Sequence, residues 1–548
     1  MSFQARSRSF LHLARLRADW TLIATLIVAL FLNLVGLSWG LPNLESWMPD
    51  DISPWLPLRV ARTYFFGWHK YPFLHSWISL AAYGPYLLYL LVSGGIDLSC
   101  YPRISEACFS NPYAQLSALM LISRLLSVLM GLGIVVVVYL LALRIQLGRA
   151  AARFAALLAA CSFLLVRYSH MGNLDVPHCF WFVLSLYFFV GALQRGLLFD
   201  HLAFGLSAGC ALGTKEGIVG AYVLTCGAIY AAHLRRELRA APRASARAWL
   251  AVSLDRRLLA LAGSLLLVYA VSINPLNWDG FVEHWKQWLP SEPRMAGFHE
   301  EFFEGYPDLL RKIAVGLAHG MGRPALALAV AGLLYAPWRR PWSAVLILPA
   351  FSYLLFSILP AKYAPMRFML PLVPILAVFG GAMAARLLSV PFAARLLTVP
   401  LLVFLFGHAF LHSLNGDLML LNDSRYLAED WLHTHAERGA RIGAYSTPQY
   451  LPRLAWLGYS VEPFADKEVG APALAERSPD YLLLSSLYYP HFRRKQRDWI
   501  ERLISGSEGY SVVWKSRGHS PLEGWLGHRY ASADINPEIV ILERIAPD

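Results

Sequence analysis

The sequence predicts a polytopic α-helical membrane protein of about eleven transmembrane helices, followed by a small C-terminal α/β domain outside the cytoplasm. Three observations predict it. Of 548 residues, 57% are hydrophobic and 15% charged, with a mean hydropathy of +0.44. A soluble chain of this length needs far more polar surface. Apolar runs long enough to cross a bilayer recur through residue 413, and beyond about 414 shorter helix and strand patterns replace them.

The net charge of +12 does not point to nucleic acid. Its excess is arginine, grouped in short blocks between apolar runs, where it sets orientation in the membrane. Arg6, Arg8, Arg15 and Arg17 precede the first run, about 20–40. With no small-residue cleavage site, that run reads as a retained first helix. Further runs lie at 116–143, 150–169, 177–195, 201–214, 216–233, 258–274, 313–336, 342–360, 364–385 and 396–413. The run at 76–92 is ambiguous, and arginine arbitrates. With a cytoplasmic N-terminus and no crossing at 76–92, Arg144, Arg149, Arg153, Arg195, the block "HLRRELRAAPRASARAW", Arg339, Arg340, Arg386 and Arg395 all face the cytoplasm. A crossing there would put every one of them outside. The segment is therefore expected to be re-entrant or to lie on the surface, within a first outer loop of about 41–115. The division is then 1–413 for the membrane domain and 414–548 for an external α/β domain. In that tail "DSRYLAEDWLHTHAERGARIGAYS" reads as an amphipathic helix followed by a strand, "PDYLLLSS" and "PEIVILER" as further strands, and "FRRKQRDWIERLIS" as a helix.

Four cysteines, Cys161, Cys179, Cys210 and Cys226, lie in or beside apolar runs and read as packing residues. Cys100 and Cys108 sit in the polar loop "LSCYPRISEACFS". A disulfide is expected there if the loop meets an oxidising compartment.

With this topology the unusual ionisable groups gather on the outer side. The loop "WMPDDISPWLPLRVARTYFFGWHKYP" carries Asp50, Asp51 and Lys70. Arg124 lies in the outer half of the second span. "RYSHMGNLDVPH" brings His170, Asp175 and His178; "GTKEG" brings Lys215 and Glu216; "LPAKYAPMRFMLPLVP" brings Lys362 and Arg367. Ionisable groups at membrane depth are costly and by default mark function. Cations at the surface can hold a lipid-linked phosphate, and a nearby carboxylate can take the proton of an attacking hydroxyl. Transfer of a sugar from a lipid phosphate needs both. Each residue also has a plainer reading. Asp50 and Asp51 can be solvated loop carboxylates that cap a helix, and Asp175 can be an N-cap ahead of Pro177. Lys215 can snorkel to the headgroups, and Arg367 can be an interfacial anchor. His170 and His178 read as interfacial or capping residues rather than metal ligands, since Pro177 interrupts their spacing. The joint pattern on one side, not any single residue, favours the functional reading.

In order and spacing these motifs resemble the GT-C glycosyltransferases, in the branch of protein O-mannosyltransferases and lipid A aminoarabinose transferases. The resemblance runs over roughly residues 20–385. It rests on "PDD" after the first span, "HKYPFLHSWI", "SRLLSVLMGLGIVVVVYLLALRI", "YSHMGNLDVPHCFWFVLSLYFF", "LSAGCALGTKEGIVGAYVL" and "MRFMLPLVPILAVFGG". It implies that Asp50 is the general base and Asp175 the second acid, with Asp51 standing where a Glu is common. It also implies that Lys70, Lys215 and Arg367 lie near the donor phosphate or cavity, with "KYP" departing from the family's Lys-Pro-Pro stretch. Lys362 and Arg124 are further candidate donor-binding cations.

The function expected is inverting transfer of a sugar from a polyprenyl-phosphate donor to a lipid, glycan or protein hydroxyl. The place is the outer face of a bacterial inner membrane. The scheme requires no cofactor, although Asp50, Asp51 and Asp175 are compatible with a divalent metal. A transporter or flippase of a lipid-linked sugar is the alternative. It calls for broken helices near mid-membrane and repeat symmetry, and the sequence suggests neither. A third reading is a non-catalytic membrane subunit that binds through its outer domain.

Overall fold

The computed structural model describes residues 19–48, 51–52, 54–240, 252–286, 305–361, 364–464, 468, 470–487, 494–526 and 535–545. The chain forms two compact units. One comprises Met1–Leu34, Leu56–Ala82 and Arg124–Ser413; the other comprises Val35–Trp55, Tyr83–Ser123 and Leu414–Asp548.

The fold is that of a multi-pass membrane protein. Among the described residues, six helices are long and apolar enough to cross a bilayer: Pro112–Arg144, Asp175–Arg195, Glu216–Leu238, Arg256–Ile273, Pro341–Ala361 and Phe392–His435. Two bent pairs raise the number to eight if each is one span. Trp20–Leu34 and Leu372–Leu388 are shorter apolar helices. Leu74–Val92, which covers the ambiguous run, is a helix with Pro85 inside it and does not join the six.

Two of the apolar runs read from the sequence are each divided by a bend. The run 150–169 divides into Arg149–Ala160 and Phe163–Ser169, 53° apart. The break is stitched by side chains: Ser413 Oγ donates to the Cys161 carbonyl at 2.8 Å, and Ser162 Oγ to the Gly320 carbonyl at 2.9 Å. Backbone groups freed at membrane depth need such partners. The run 313–336 divides at Gly322, where Tyr306–Met321 and Arg323–Arg339 meet at 112°. Gly322 has φ +79°, open to glycine at little cost, and a proline follows in the first turn of the next helix.

Close helix contact in the membrane unit depends on small residues. Gly205, Gly209 and Gly213 form one stripe of the Leu198–Thr214 helix and face Arg256–Ile273. A Cβ at Gly209 would stand 2.9 Å from the Leu265 carbonyl oxygen, and one at Gly213 would collide with Ser272. Such stripes let backbones approach where lipid offers no hydrophobic drive for association. The same helix ends at Lys215, its C-cap.

The second unit holds a five-stranded sheet of order β2-β1-β3-β5-β4. Its strands are β1 (Arg441–Ala444), β2 (Ser460–Pro463), β3 (Tyr481–Ser485), β4 (Tyr510–Ser516) and β5 (Ile539–Arg544). β1 pairs parallel with β2 and β3; β5 pairs antiparallel with β3 and β4. Alternation sends Leu482, Leu484, Val540 and Leu542 to one core, with Trp499, Ile500 and Leu503 of the Arg494–Ile504 helix. Leu483, Ile539 and Ile541 face the other core, with Ala428 and Leu432 of Ser424–His435. Burial on both faces explains why β3 and β5 are continuous apolar runs. In the same unit Cys100 and Cys108 form a disulfide, with Cα atoms 6.0 Å apart.

Candidate active site

Asp175 opens the Asp175–Arg195 helix and is buried. Its carboxylate does not cap that helix, whose N-cap is Leu174 without a side-chain bond. Instead Oδ1 accepts from Lys215 Nζ at 2.5 Å and Oδ2 from Asn173 Nδ2 at 3.0 Å. The Asn173 amide oxygen in turn accepts from the Asp175 backbone N–H at 3.0 Å. Lys215 is therefore not a headgroup snorkel. It is largely buried and ends in an ion pair with Asp175.

Two aromatic rings flank that pair. Lys215 Nζ lies 5.7 Å from the ring centroids of both Tyr71 and Phe368. Tyr71 also has Lys70 Nζ at 5.5 Å from its ring, and Phe368 directly follows Arg367. Aromatic faces attract cations without taking up their hydrogen-bond donors. The structure thus brings together elements of four sequence motifs: "NLDVP", "GTKEG", "HKYP" and "MRFM". Arg367 is half-buried in the turn Met366–Met369, whose Phe368 carbonyl accepts from Tyr353 Oη at 3.0 Å. Arg124 is fully buried in Pro112–Arg144. His170 and His178 each donate Nδ1–H to a carbonyl four residues back, at 2.8 and 3.0 Å.

A buried cluster beside Lys215 carried no assignment in the sequence reading. Glu216 accepts from Tyr269 Oη and, at 2.8 Å, from His284 Nε2. His284 Nδ1 donates to the His69 carbonyl at 3.1 Å. Both ring nitrogens then face acceptors, which suits an imidazolium. Burial pushes the His284 pKa down, but the Glu216 hydrogen bond and charge outweigh it and hold it above its ordinary value. The cluster borders a small recess lined by Gly67, His69, Tyr71, Phe73 and Asn277. The available signal was Glu216 in "GTKEG", but nothing in sequence spacing joins it to His284, 68 positions on.

In the second unit Asp51 is half-buried, accepts from Ser46 Oγ, and closes a turn through its N–H to the Met48 carbonyl at 3.1 Å. Asp50 and Lys362 lie outside the described residues. No group of three or more His, Cys, Asp or Glu among the described residues is placed to hold a metal ion.

Residues 73–268 match the model of the family described as dolichyl-phosphate-mannose-protein mannosyltransferase. Over the matched residues, fewer than half of its length, the chain is similar to the protein O-mannosyltransferases. No curated protein sequence matches it. Among solved structures, the apo ArnT of Cupriavidus metallidurans is 14% identical, covers 95% of this chain and 97% of that chain, and has a TM-score of 0.48. The apo oligosaccharyltransferase of Archaeoglobus fulgidus is 12% identical over 88% of this chain and 72% of its own, with a TM-score of 0.47. The S. cerevisiae Pmt1–Pmt2 complex bound to its sugar donor is 16% identical over 47% of this chain and 34% of its own, with a TM-score of 0.31.

Proposed function

We propose that this chain transfers a sugar, with inversion, from a polyprenyl-phosphate donor to a hydroxyl acceptor at the outer face of a bacterial inner membrane. The observation that carries the reading is the buried Asp175–Lys215 pair between Tyr71 and Phe368, the chain neighbours of Lys70 and Arg367. Cations on three separate motifs suit one phosphate. The family description names a lipid-phosphate sugar, which fits that chemistry.

In this mechanism Asp50 takes the proton of the acceptor hydroxyl as its oxygen attacks the anomeric carbon. The bond from that carbon to the phosphate oxygen breaks on the opposite face, and the electron pair leaves with the phosphate. Arg367, with its planar fork, and Lys215 hold the phosphate as its charge grows. Lys70, Lys362 and Arg124 are assigned to the donor and its cavity. Lys215 has three donors, so pairing with Asp175 leaves N–H groups for a ligand. Asp175 fixes the position of that cation, and Asp51 supports the base. The steps need no metal; a divalent ion, if bound, falls to Asp50, Asp51 and Asp175.

The outer-face assignment follows the arginine blocks, and the Cys100–Cys108 disulfide agrees with an oxidising compartment. The N-terminus is then cytoplasmic and 414–548 periplasmic, with 1–413 as the catalytic membrane domain.

Asp50→Asn tests the base. Asn keeps the size of the side chain but cannot accept the proton. We expect transfer to fall by about 10²–10⁴-fold, with donor affinity unchanged by calorimetry. Near-normal turnover would move the base to another residue.

A further inference from the structure

We propose that Arg425 and Arg453, in the C-terminal part of the chain, are positioning residues for the acidic pair, acting through Trp47. The proposal rests on the catalytic reading of Asp50 and Asp51 given above. Every contact in it lies within the second unit.

Trp47 is completely buried, three residues before Asp50. The Arg425 guanidinium carbon lies 4.2 Å from its ring centroid and that of Arg453 lies 5.7 Å away. Tyr426 packs at 4.8 Å and Trp39 stands edge-on at 5.8 Å. No hydrogen bond holds the indole N–H among the described residues, so ring contacts fix this side chain. Both cations are themselves fixed. Arg425 forks onto the two oxygens of Asp423 at 2.9 and 2.8 Å. Arg453 forks onto Glu429 at 2.9 and 2.5 Å and also donates to the Leu41 carbonyl at 2.6 Å. Tyr426 Oη accepts from the Gly40 N–H at 2.7 Å. Gly40 has φ +75°, and a Cβ there would stand 2.9 Å from the Trp47 ring, so the loop closes over the indole only without a side chain.

The grip passes directly to the acidic residues. Ser46 and Met48 flank Trp47 in sequence, and these two residues hold Asp51 through the Ser46 hydroxyl and the Met48 carbonyl. A pre-oriented guanidinium on an indole face is stronger than an exposed one, because neither partner is solvated. The C-terminal region therefore holds Ser46–Met48 and, through them, Asp51. A misplacement of about 1 Å at a reacting group is enough to cost about 10²-fold in rate.

The test uses the full chain in nanodiscs, with hydrogen exchange over residues 43–55, undecaprenyl phosphate affinity and turnover as readouts. Arg453→Met and Trp47→Ala should each speed exchange in that segment by about tenfold or more. Turnover should fall by about 10²-fold with undecaprenyl phosphate affinity kept within about twofold. Trp47→Phe, which keeps an aromatic face, should recover most of the turnover. Arg477→Met is the control: Arg477 lies 4.8 Å from the Phe464 ring and bonds Glu468 at 3.1 Å, without touching Trp47. It should change neither exchange in 43–55 nor turnover. Unchanged exchange in Arg453→Met overturns the proposal, as does a turnover loss matched by Arg477→Met or one that follows donor affinity. Exchange needs no substrate. A wild-type chain that transfers nothing while Arg453→Met still loosens the segment would sink the glycosyltransfer reading and uphold the grip on the loop.

Discussion

Two buried aspartate–cation pairs, one in each unit, are built differently. In the membrane unit Asp175 meets Lys215 through one 2.5 Å contact, with Asn173 on the other oxygen. In the sheet unit Asp423 is saturated. Its two oxygens take the Arg425 fork, the Trp39 Nε1–H at 3.1 Å and the backbone N–H groups of Arg425 and Asn536 at 3.0 and 2.9 Å. A point contact between a lysine and a carboxylate leaves donors and a lone pair for a third party. A saturated fork leaves none, and its removal strands a guanidinium in the interior. The difference separates a pair fit to meet a ligand from one that holds a fold together.

Substitution at the two aspartates should therefore fail in different ways. Asp175→Asn removes the charge that fixes Lys215 but keeps its shape. We expect a fall in turnover of about 10²-fold or more, with the protein still monodisperse and its thermal midpoint little changed. Asp423→Asn should destabilise the sheet unit by about 3–5 kcal/mol, read as loss of exchange protection in β1, β3 and β5. If Asp175→Asn unfolds the protein while Asp423→Asn only slows it, the contrast is wrong.

Arg367→Lys sharpens the contrast between fork and point charge. An interfacial anchor accepts lysine, whereas a phosphate ligand that uses the planar fork does not. We expect normal insertion and donor binding weaker by about 10- to 100-fold by calorimetry, since one lost charge-assisted bond contributes about 1.5–3 kcal/mol. Unchanged affinity would return Arg367 to the anchor reading.

The smallest effect concerns pH. His284 has a pKa raised above its ordinary 6.5 by Glu216, against the pull of burial. Its stabilisation is complete below the unfolded value and is lost as pH rises through the folded one. Glu216→Gln should lower the thermal midpoint by a few degrees at pH 6 and by less at pH 9. An equal difference at both pH values would show that the imidazole is not charged in the fold.

Legibility in the sequence followed local pattern. β3 and β5 could be read because each is a compact apolar run, fully covered in the structure for β3 and largely so for β5, and β1 because it follows an amphipathic helix pattern. β2 and β4 could not. β2 has four residues at an edge, and β4 has a bulge between Val512 and Trp514 that breaks its alternation. The helix break at Gly322 was hidden inside a continuous apolar run, because hydropathy does not register a backbone angle. At the site, Asp175, Lys215 and Arg367 stood out because ionisable groups at membrane depth are rare. Their pairing did not, since Lys215 follows Asp175 by forty positions and a lysine's reach in sequence says nothing of its direction. Trp47 was read only as part of a loop. One tryptophan among 18 carries no mark of a cation on its face.

The glycine stripe of the Leu198–Thr214 helix acts as a gauge set by missing atoms. Its spacing of four, at Gly205, Gly209 and Gly213, fixes how near that helix comes to Arg256–Ile273, and the next turn delivers Lys215 to Asp175. A methyl group on that stripe would leave every charged residue in place and still lengthen a 2.5 Å contact. Tables of residue similarity rank glycine-to-alanine among the mildest of exchanges. Here it would work as a shim under the Asp175–Lys215 pair, so inherited variation along this helix is better judged by thickness than by chemistry.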